Sequence, residues 1–185
     1  ELLLEPSETN NLRILLMNIE ALSTPKGTRY LDKVLDEGTC LLTVDESTSI
    51  KSPKARRTKA VIKLGKKAKY KRILTGFPVT QSPLDLWAQC NFLHPHLLGK
   101  DVGDNFFQFQ YRYAIMKKRS VGSHSFNMVV GYRNLESLSE IIKNFSSRVM
   151  KAECLDLPPK LYTQRHVQLT PDQQRLYTEI KEYAL

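Results

Sequence analysis

The sequence has few cysteines and no long apolar run. Its three cysteines are odd in number and about fifty residues apart, so we expect free thiols and no disulfide framework. No segment approaches the roughly 18 apolar residues that cross a bilayer. The acidic segment Glu1–Glu5 is unlike a signal peptide, which begins with basic residues. We therefore expect a soluble, cytoplasmic chain without a membrane partner.

Acidic residues are missing from one stretch. Between Lys51 and Arg72 there are eleven basic residues and no aspartate or glutamate, whereas the charges elsewhere nearly balance within a net charge of +9. A focused basic run is either a solvated helix face or a footprint for phosphate groups. Composition leaves both interpretations open.

The sequence also lacks a phosphate-binding loop. None of its eight glycines begins the pattern Gly-x-x-x-x-Gly-Lys-Ser/Thr, in which backbone amides and a lysine hold a triphosphate. The segment Gly65-Lys66-Lys67 has neither the earlier glycine nor the hydroxyl. The chain alone therefore offers no predicted cradle for a nucleoside triphosphate.

Apolar runs and helical spacing alternate through the first half of the sequence. Continuous apolar runs indicate strands that are covered on both faces of a sheet, at 12–19, 40–45 and 72–75. Apolar residues at helical spacing indicate helices between them, at 28–37 and 52–65. This alternation predicts an α/β fold with a parallel sheet.

The pattern weakens beyond a helix that begins near Ser82 with a capping-box-like start. Residues 101–133 are rich in phenylalanine and tyrosine and predict only one helix, near 106–116. Helical spacing returns at 134–147, and a last helix begins near Thr170.

Polar side chains follow two of the predicted strands. Asp45 and Glu46 end the second, and a strand-end carboxylate pair in a nucleotide-hydrolysing fold holds Mg²⁺ and orients the attacking water. Thr75 and Gly76 end the third, and adjacent strand ends would place Thr75 near the two acids. Taken singly, each segment is also compatible with an ordinary strand and turn.

These segments occur in an order that resembles the Swi/Snf type of superfamily two helicase-like ATPases. The resemblance covers roughly residues 12–177 and is weak near 100–133. The chain has no large insertions between these motifs and in this respect resembles the compact phage or bacterial members of the family. The motifs are Val44-Asp45-Glu46-Ser47, Ile50-Lys51-Ser52-Pro53-Lys54, Arg57-Thr58-Lys59-Ala60, Leu74-Thr75-Gly76-Phe77-Pro78, Leu86-Trp87, Asn91-Phe92-Leu93 and Leu157-Pro158-Pro159-Lys160.

The resemblance implies a RecA-like parallel sheet flanked by helices, which is a partial lobe of the P-loop nucleotide hydrolase fold, with a helical C-terminal extension. Three parts follow from it. They are a RecA-like portion of lobe 1 with motifs II and III at 1–100, a helical extension of lobe 1 at 101–150, and a linker toward lobe 2 at 151–185. In the family the phosphate loop precedes this region, so we expect a fragment of a longer polypeptide that is inactive alone.

The resemblance also implies roles for the strand ends. Asp45 matches the motif II acid that binds Mg²⁺, and Glu46 matches the acid that activates the hydrolytic water, so both contact the cofactors ATP and Mg²⁺. Thr75 and Gly76 match motif III, which couples the nucleotide state to the grip on nucleic acid.

Two segments are expected to contact nucleic acid. Asn18 and Glu20 fall where the family has a loop that touches the nucleic-acid backbone. The basic run is the other expected contact, without base specificity, through Lys51, Lys54, Arg56, Arg57, Lys59, Lys66, Lys67 and Lys69. The implied partners are DNA rather than RNA and a second motor lobe of the same polypeptide, in a bacterial or phage-infected cytoplasm.

Two other functions stay open on the residues alone. One is a non-catalytic, basic nucleic-acid-binding module with a degenerate motor fold. The other is a nuclease or metalloenzyme that uses Asp45 and Glu46 alone. The latter is the weaker alternative because no further carboxylates or histidines gather at helical or strand-end spacing.

Overall fold

The computed structural model describes residues 12–103, 105–122, 124–154, 156, 158 and 161–183. The chain divides after Ser146 into two compact units. Within the described residues, no helix combines the length and the apolarity that a bilayer crossing needs.

Helices and short strands make up the first unit. Its helices are α1 (Pro25–Asp36), α2 (Arg56–Gly65), α3 (Leu86–Leu93), α4 (Phe106–Tyr113) and α5 (Leu135–Lys143). Its strands are β1 (Leu41–Val44), β2 (Tyr70–Ile73), β3 (Ala114–Val121) and β4 (His124–Tyr132). Short 3₁₀ turns lie at Ile19–Ser23, Ser47–Ile50 and Pro83–Asp85. The second unit contains α6 (Lys151–Cys154) and α7 (Pro171–Tyr183).

The strands β1 and β2 form a parallel pair. Their register runs from Leu41 opposite Tyr70 to Val44 opposite Ile73, and the connection between them contains α2. Helix α2 begins at Arg56, because the chain around Pro53 forms a turn instead of the predicted first helical turn. The predicted α/β fold with parallel strands is confirmed. The predicted covering of both strand faces is wrong, because Leu41 and Tyr70 are both 55% exposed and Val44 is the only buried residue of β1 and β2. Strand β2 also ends at Ile73, short of the predicted end at Thr75.

The predicted buried strand at 12–19 is wrong. Residues 12–18 have no regular structure, and Leu12 and Leu16 are 87% and 90% exposed. A strand needs a hydrogen-bonded neighbour, and within the described residues β1 pairs with β2 alone. An apolar run without such a neighbour does not become a strand.

Two hydrophobic clusters hold the first unit together. Leu31 and Val61 belong to the cluster between α1, α2 and β1, while Phe109 belongs to the cluster of α3, α4 and α5. Helix α3 contributes to both, since Phe92 is buried in the first cluster and Trp87 in the second. Each such buried side chain stabilises the fold by about 1.5–3 kcal/mol. Helix α3 therefore joins the parallel strands to the region that follows it.

Gly65 lets the basic helix α2 approach α3 closely. A Cβ atom added at Gly65 would lie 2.7 Å from the Phe92 ring, which is closer than nonbonded carbons approach. One face of α2 is thereby fixed against the core, and its basic side chains lie on the other.

Region 101–150 is not wholly helical, in contrast to the prediction. Helix α4 ends at Tyr113, and the chain continues into an antiparallel hairpin in which Ala114 is opposite Tyr132 and Val121 is opposite His124. The turn contains Gly122 with φ 59°, a left-handed conformation that glycine adopts at little cost. Val129 and Val130 after the turn favour a strand, whereas residues 114–119 are mostly helix-prone, so pairing with β4 decides the structure of β3.

Candidate functional site

Asp45 and Glu46 follow β1 at the carboxyl edge of the parallel pair. Asp45 Oδ1 accepts a hydrogen bond from the Glu46 amide at 2.9 Å. The Glu46 backbone is left-handed, with φ 45°, which is uncommon for a residue with a side chain. The chain turns inward at this point, so Ser47 is buried while both carboxylates remain exposed to solvent.

The segment before Thr75 is hydrogen-bonded to the segment after Glu46. The Leu74 amide donates to the Val44 carbonyl at 2.9 Å, and the Ser47 amide donates to the Leu74 carbonyl at 3.0 Å. These two bonds extend the parallel ladder beyond β1 and β2. The structure therefore brings the two predicted polar segments together at one edge of the sheet.

Thr75 and Gly76 differ in how the chain constrains them. Thr75 is half-buried, and its Oγ1 accepts a hydrogen bond from the Phe77 amide at 3.3 Å. Gly76 is exposed, its backbone is not left-handed, and a Cβ atom added there meets nothing within 4 Å. The fold of this chain therefore does not itself require glycine at position 76.

Gln89 of α3 connects the two loops at this edge, a role that the sequence reasoning missed. The Ser47 hydroxyl donates to Gln89 Oε1 at 2.7 Å. Gln89 Nε2 donates to the carbonyls of Pro78 and Asp85 at 2.7 and 2.9 Å. Ser47 and Gln89 are both fully buried. One side chain thus links the loop after Glu46 to the loop after Thr75.

Asp85 fixes the loop after Gly76 from its other end. Its Oδ2 accepts hydrogen bonds from the Thr80 amide and hydroxyl at 3.0 and 2.9 Å, and from the Gln81 amide at 2.9 Å. Burial alone would raise the pKa of Asp85, but hydrogen bonds from Gln81, Thr80 and Ser82 outweigh it, and the pKa is lowered. Ser82 and Asp85 also form the predicted capping box before α3, which is confirmed.

Asn18 and Glu20, the predicted nucleic-acid loop, lie at the start of the first 3₁₀ turn. The Asn18 side chain caps this turn by accepting a hydrogen bond from the Glu20 amide at 3.1 Å. The Glu20 carboxylate lies 3.8 Å from the Arg57 guanidinium. Arg57 Nε also donates to the Ser49 carbonyl at 2.7 Å. These contacts attach the turn to α2 and to the segment after Glu46.

Part of the basic run is engaged with the protein itself. Lys51 donates to Thr80 Oγ1 at 2.6 Å, and Lys67 pairs with Asp32 and Asp36 at 2.6 and 2.8 Å. Hydrogen bonds to Asp32 and then to Asp36 raise the pKa of Lys67. These two lysines are therefore poorer candidates for phosphate contact than the sequence suggested.

The other part of the run is exposed on α2 and next to it. Lys54 precedes α2 in the chain and Lys69 follows it, and both are exposed. Val61, within the helix, is buried against the core. Four side chains at helical spacing form an exposed stripe opposite Val61, which we name the α2 basic face. They are Arg56, Lys59, Lys63 and Lys66.

The oxygen donors at the sheet edge fit a Mg²⁺ ion that is bound together with a phosphate. Mg²⁺ keeps several waters and is usually held by one or two carboxylates plus substrate phosphates. Asp45 and Glu46, adjacent and exposed, satisfy this need. In the described part of the chain, no three histidine, cysteine, aspartate or glutamate side chains group closely enough to hold a metal ion unaided.

Comparison with known proteins places this architecture in a family. The profile of the SNF2-related domain matches residues 2–184. TATA-binding protein-associated factor 172 of Homo sapiens is 35% identical over 143 residues, which are 76% of this chain and 7% of that protein. TATA-binding protein-associated factor MOT1 of Saccharomyces cerevisiae is 32% identical over 141 residues, which are 76% of this chain and 7% of that protein. DNA annealing helicase and endonuclease ZRANB3 of Bos taurus is 29% identical over 141 residues, which are 76% of this chain and 13% of that protein.

The chain belongs to the SNF2-related domain family. It spans 7% to 13% of the length of these relatives. The relatives are eukaryotic proteins and give no support for the expected phage or bacterial source.

Proposed function

We propose that this chain is part of the first motor lobe of a helicase-like ATPase that acts on DNA rather than RNA. The observation that carries the proposal is the edge where Asp45, Glu46 and the Thr75 segment meet in a chain of the SNF2-related family. The RecA-like arrangement, the three-part division at 1–100, 101–150 and 151–185, and a second lobe in the same polypeptide belong to this proposal.

In this proposal the two carboxylates have separate tasks. Asp45 would hold Mg²⁺, and Glu46 would accept a proton from the attacking water. Bound Mg²⁺ neutralises charge on the phosphates of ATP. Support comes from the exposure of both carboxylates at the carboxyl edge of parallel strands, where ligands collect in such sheets.

The hydrogen bonds behind this edge suggest how nucleotide and nucleic acid are coupled. Ser47, Gln89 and Pro78 form a continuous chain of hydrogen bonds from the segment after Glu46 to the loop after Gly76. A displacement at the carboxylates is thereby passed to that loop, which is the role proposed for Thr75 and Gly76.

The α2 basic face supplies sequence-independent phosphate contacts in this proposal. Its four exposed cations lie along one side of a helix whose other side is fixed to the core. Each phosphate contact on duplex DNA steepens the dependence of log K on log[salt] by about 0.9. Asn18 and Glu20 position the neighbouring turn, and Lys54 and Lys69 extend the contact at either end.

The test is the substitution Glu46→Gln in the full-length protein. We expect DNA-stimulated ATP hydrolysis to fall by about 10²–10⁴, the contribution of a general base, because glutamine cannot accept the proton. DNA affinity and the free energy of unfolding should not change, since the side chain is exposed. The matched control is Glu140→Gln, an exposed position on α5, which should keep wild-type activity.

Undiminished hydrolysis by the Glu46→Gln protein would refute the assignment of the base. A wild-type protein that binds DNA but hydrolyses no ATP would instead be the non-catalytic binding module.

A further inference from the structure

The hairpin β3–β4 exposes both of its faces over its distal half. Side chains at 117–121 and 124–127 are all exposed, and within the described residues the pair has no third strand. An isolated pair of strands is marginally stable unless a face packs on something. This half of the hairpin therefore adds little to the core and displays its side chains to solvent.

The base of the hairpin is fixed to the first unit. Tyr113 and Ala114 are buried where helix α4 leads into β3. The Arg133 amide donates to the Tyr113 carbonyl at 3.0 Å, and Asn134 Nδ2 donates to the Arg112 carbonyl at 3.0 Å. The exposed half thus extends from an anchored base.

One face of the hairpin combines cations with apolar side chains. Directly opposed residues of an antiparallel pair share a face. The pairs on this face are Lys117 with Met128, Arg119 with Phe126, and Val121 with His124. Phe126 and Val121 are 48% and 69% exposed, so the apolar groups are open to solvent beside the exposed Lys117 and Arg119.

The charge of the hairpin has one sign. No aspartate or glutamate occurs from Ala114 to Arg133, and Lys118 on the opposite face adds to Lys117 and Arg119. An exposed ribbon of this charge is complementary to a polyanion. It is the second acid-free basic segment of the chain, after the one that contains α2.

We propose that the β3–β4 hairpin is a contact surface for duplex DNA that is independent of base sequence. The major groove of B-DNA admits a two-stranded ribbon. Lys117 and Arg119 on one face and Lys118 on the other would contact the phosphates that border the groove, and Phe126 would pack on the sugars, so none of these contacts reads a base. The major groove of A-form RNA is too deep and narrow for such a ribbon. This inference rests on the proposed action on DNA and names a second surface for it.

The experiment removes the three charges with Lys117→Gln, Lys118→Gln and Arg119→Gln in the full-length protein. Glutamine keeps a polar side chain on an exposed strand, so folding should be retained, as a thermal melt would verify. Binding to labelled duplex DNA of random sequence is measured without ATP at several salt concentrations. We expect the slope of log K against log[salt] to decrease in magnitude by about 0.9 for each phosphate that the variant no longer neutralises.

Conservative exchange of the same residues separates charge from shape. Lys117→Arg, Lys118→Arg and Arg119→Lys keep all three cations, so the wild-type slope should return. A second variant, Phe126→Ala, should weaken binding and leave the slope unchanged, because it removes apolar surface without removing charge.

A matched control removes three exposed cations from α1 through Lys26→Gln, Arg29→Gln and Lys33→Gln. Its slope should stay at the wild-type value. An equal decrease in this control, or no decrease in the hairpin variant, would overturn the proposal. An equal loss on duplex RNA would overturn the assignment to DNA.

The same protein preparations distinguish this inference from the proposed function. The wild-type protein could lack DNA-stimulated hydrolysis while the glutamine variant still shows the smaller salt slope. That result would refute the ATPase and support the hairpin contact. Normal hydrolysis with an unchanged slope in the glutamine variant would refute the hairpin contact alone.

Discussion

Polar side chains serve opposite purposes beside the two strand pairs of the first unit. At the edge of β1–β2, Gln89 and Asp85 are buried and satisfy backbone groups of the adjoining loops. On β3–β4, polar side chains such as Lys118 and Asn127 face solvent on an anchored ribbon. The first arrangement fixes geometry, which suits the proposed reaction, and the second displays charge, which suits the proposed contact surface.

The largest expected effect that tests this contrast is that of Gln89→Ala. The free energy of unfolding of the chain should fall by about 3 kcal/mol, because the Ser47 hydroxyl and two buried carbonyls lose their partner. Urea unfolding measures the change. The hairpin counterpart Asn127→Ala should change the free energy by less than about 0.5 kcal/mol. Equal costs for the two variants would remove the distinction between the strand pairs.

A smaller effect is expected from acid acting on Asp85. Its pKa is lowered in the folded chain, so the carboxylate stabilises the fold above its ordinary pKa of about 3.9. That stability is lost as the pH falls through the lower, folded pKa. Asp85→Asn should cost about 1–2 kcal/mol near neutral pH and flatten this acid response.

Urea unfolding at several pH values below about 5 measures the acid response of the wild type and the variant. The exposed α7 variant Asp172→Asn serves as the control and should keep the wild-type response. An unchanged acid response in Asp85→Asn would show that the loop after Gly76 does not depend on this carboxylate.

The smallest expected effect is that of Gly76→Ala, which tests whether every residue at the edge of β1–β2 is held as tightly as Gln89 and Asp85. Open space surrounds Gly76, so the free energy of unfolding should change by less than about 0.5 kcal/mol. Gly65→Ala, whose Cβ would meet the Phe92 ring, should cost about 1–3 kcal/mol by overpacking. Thermal melts of both variants measure the two changes in stability.

Comparable costs at the two glycines would contradict the open geometry at Gly76. Abolished ATP hydrolysis by a stable Gly76→Ala protein would locate the need for glycine in contacts with nucleotide or nucleic acid.

Apolar runs made the position of β1 and the parallel pairing predictable, although the expected burial of both strand faces was wrong. The apolar run before Asp45 becomes β1, and the alternation with helices indicates that parallel strand ends meet at one edge. The positions of Asp45 and Thr75 follow from this rule, whereas their roles in hydrolysis stay predictions. The strand expected at 12–19 failed because apolar composition does not specify a partner strand.

The sequence contains a local indication of the β3–β4 hairpin, but the composition of the strands makes it hard to recognise. Two residues, Gly122 and Ser123, separate Val121 from a segment rich in β-prone residues at 124–132, a spacing typical of hairpins. Alternation of apolar and polar residues is weak there because neither face of the distal half is buried. The irregularity between Ile115 and Met116 disturbs the period further.

The role of Gln89 could not be predicted in detail. Its signal is one of the two amides, Gln89 and Asn91, in the otherwise apolar helix Leu86–Leu93, and a buried amide needs hydrogen-bond partners. The sequence does not reveal the partners, because Ser47 and Pro78 belong to loops whose approach is set by the tertiary fold.

The left-handed backbone at Glu46 sets stability against the chemistry proposed for this residue. Such a conformation costs a residue with a side chain about 1–3 kcal/mol, and a sequence optimised for stability alone would use glycine or asparagine there. The carboxylate offers no packing in return, since it lies in solvent. Position 46 therefore carries a residue whose backbone conformation costs stability, a cost consistent with the reactive role proposed for Glu46.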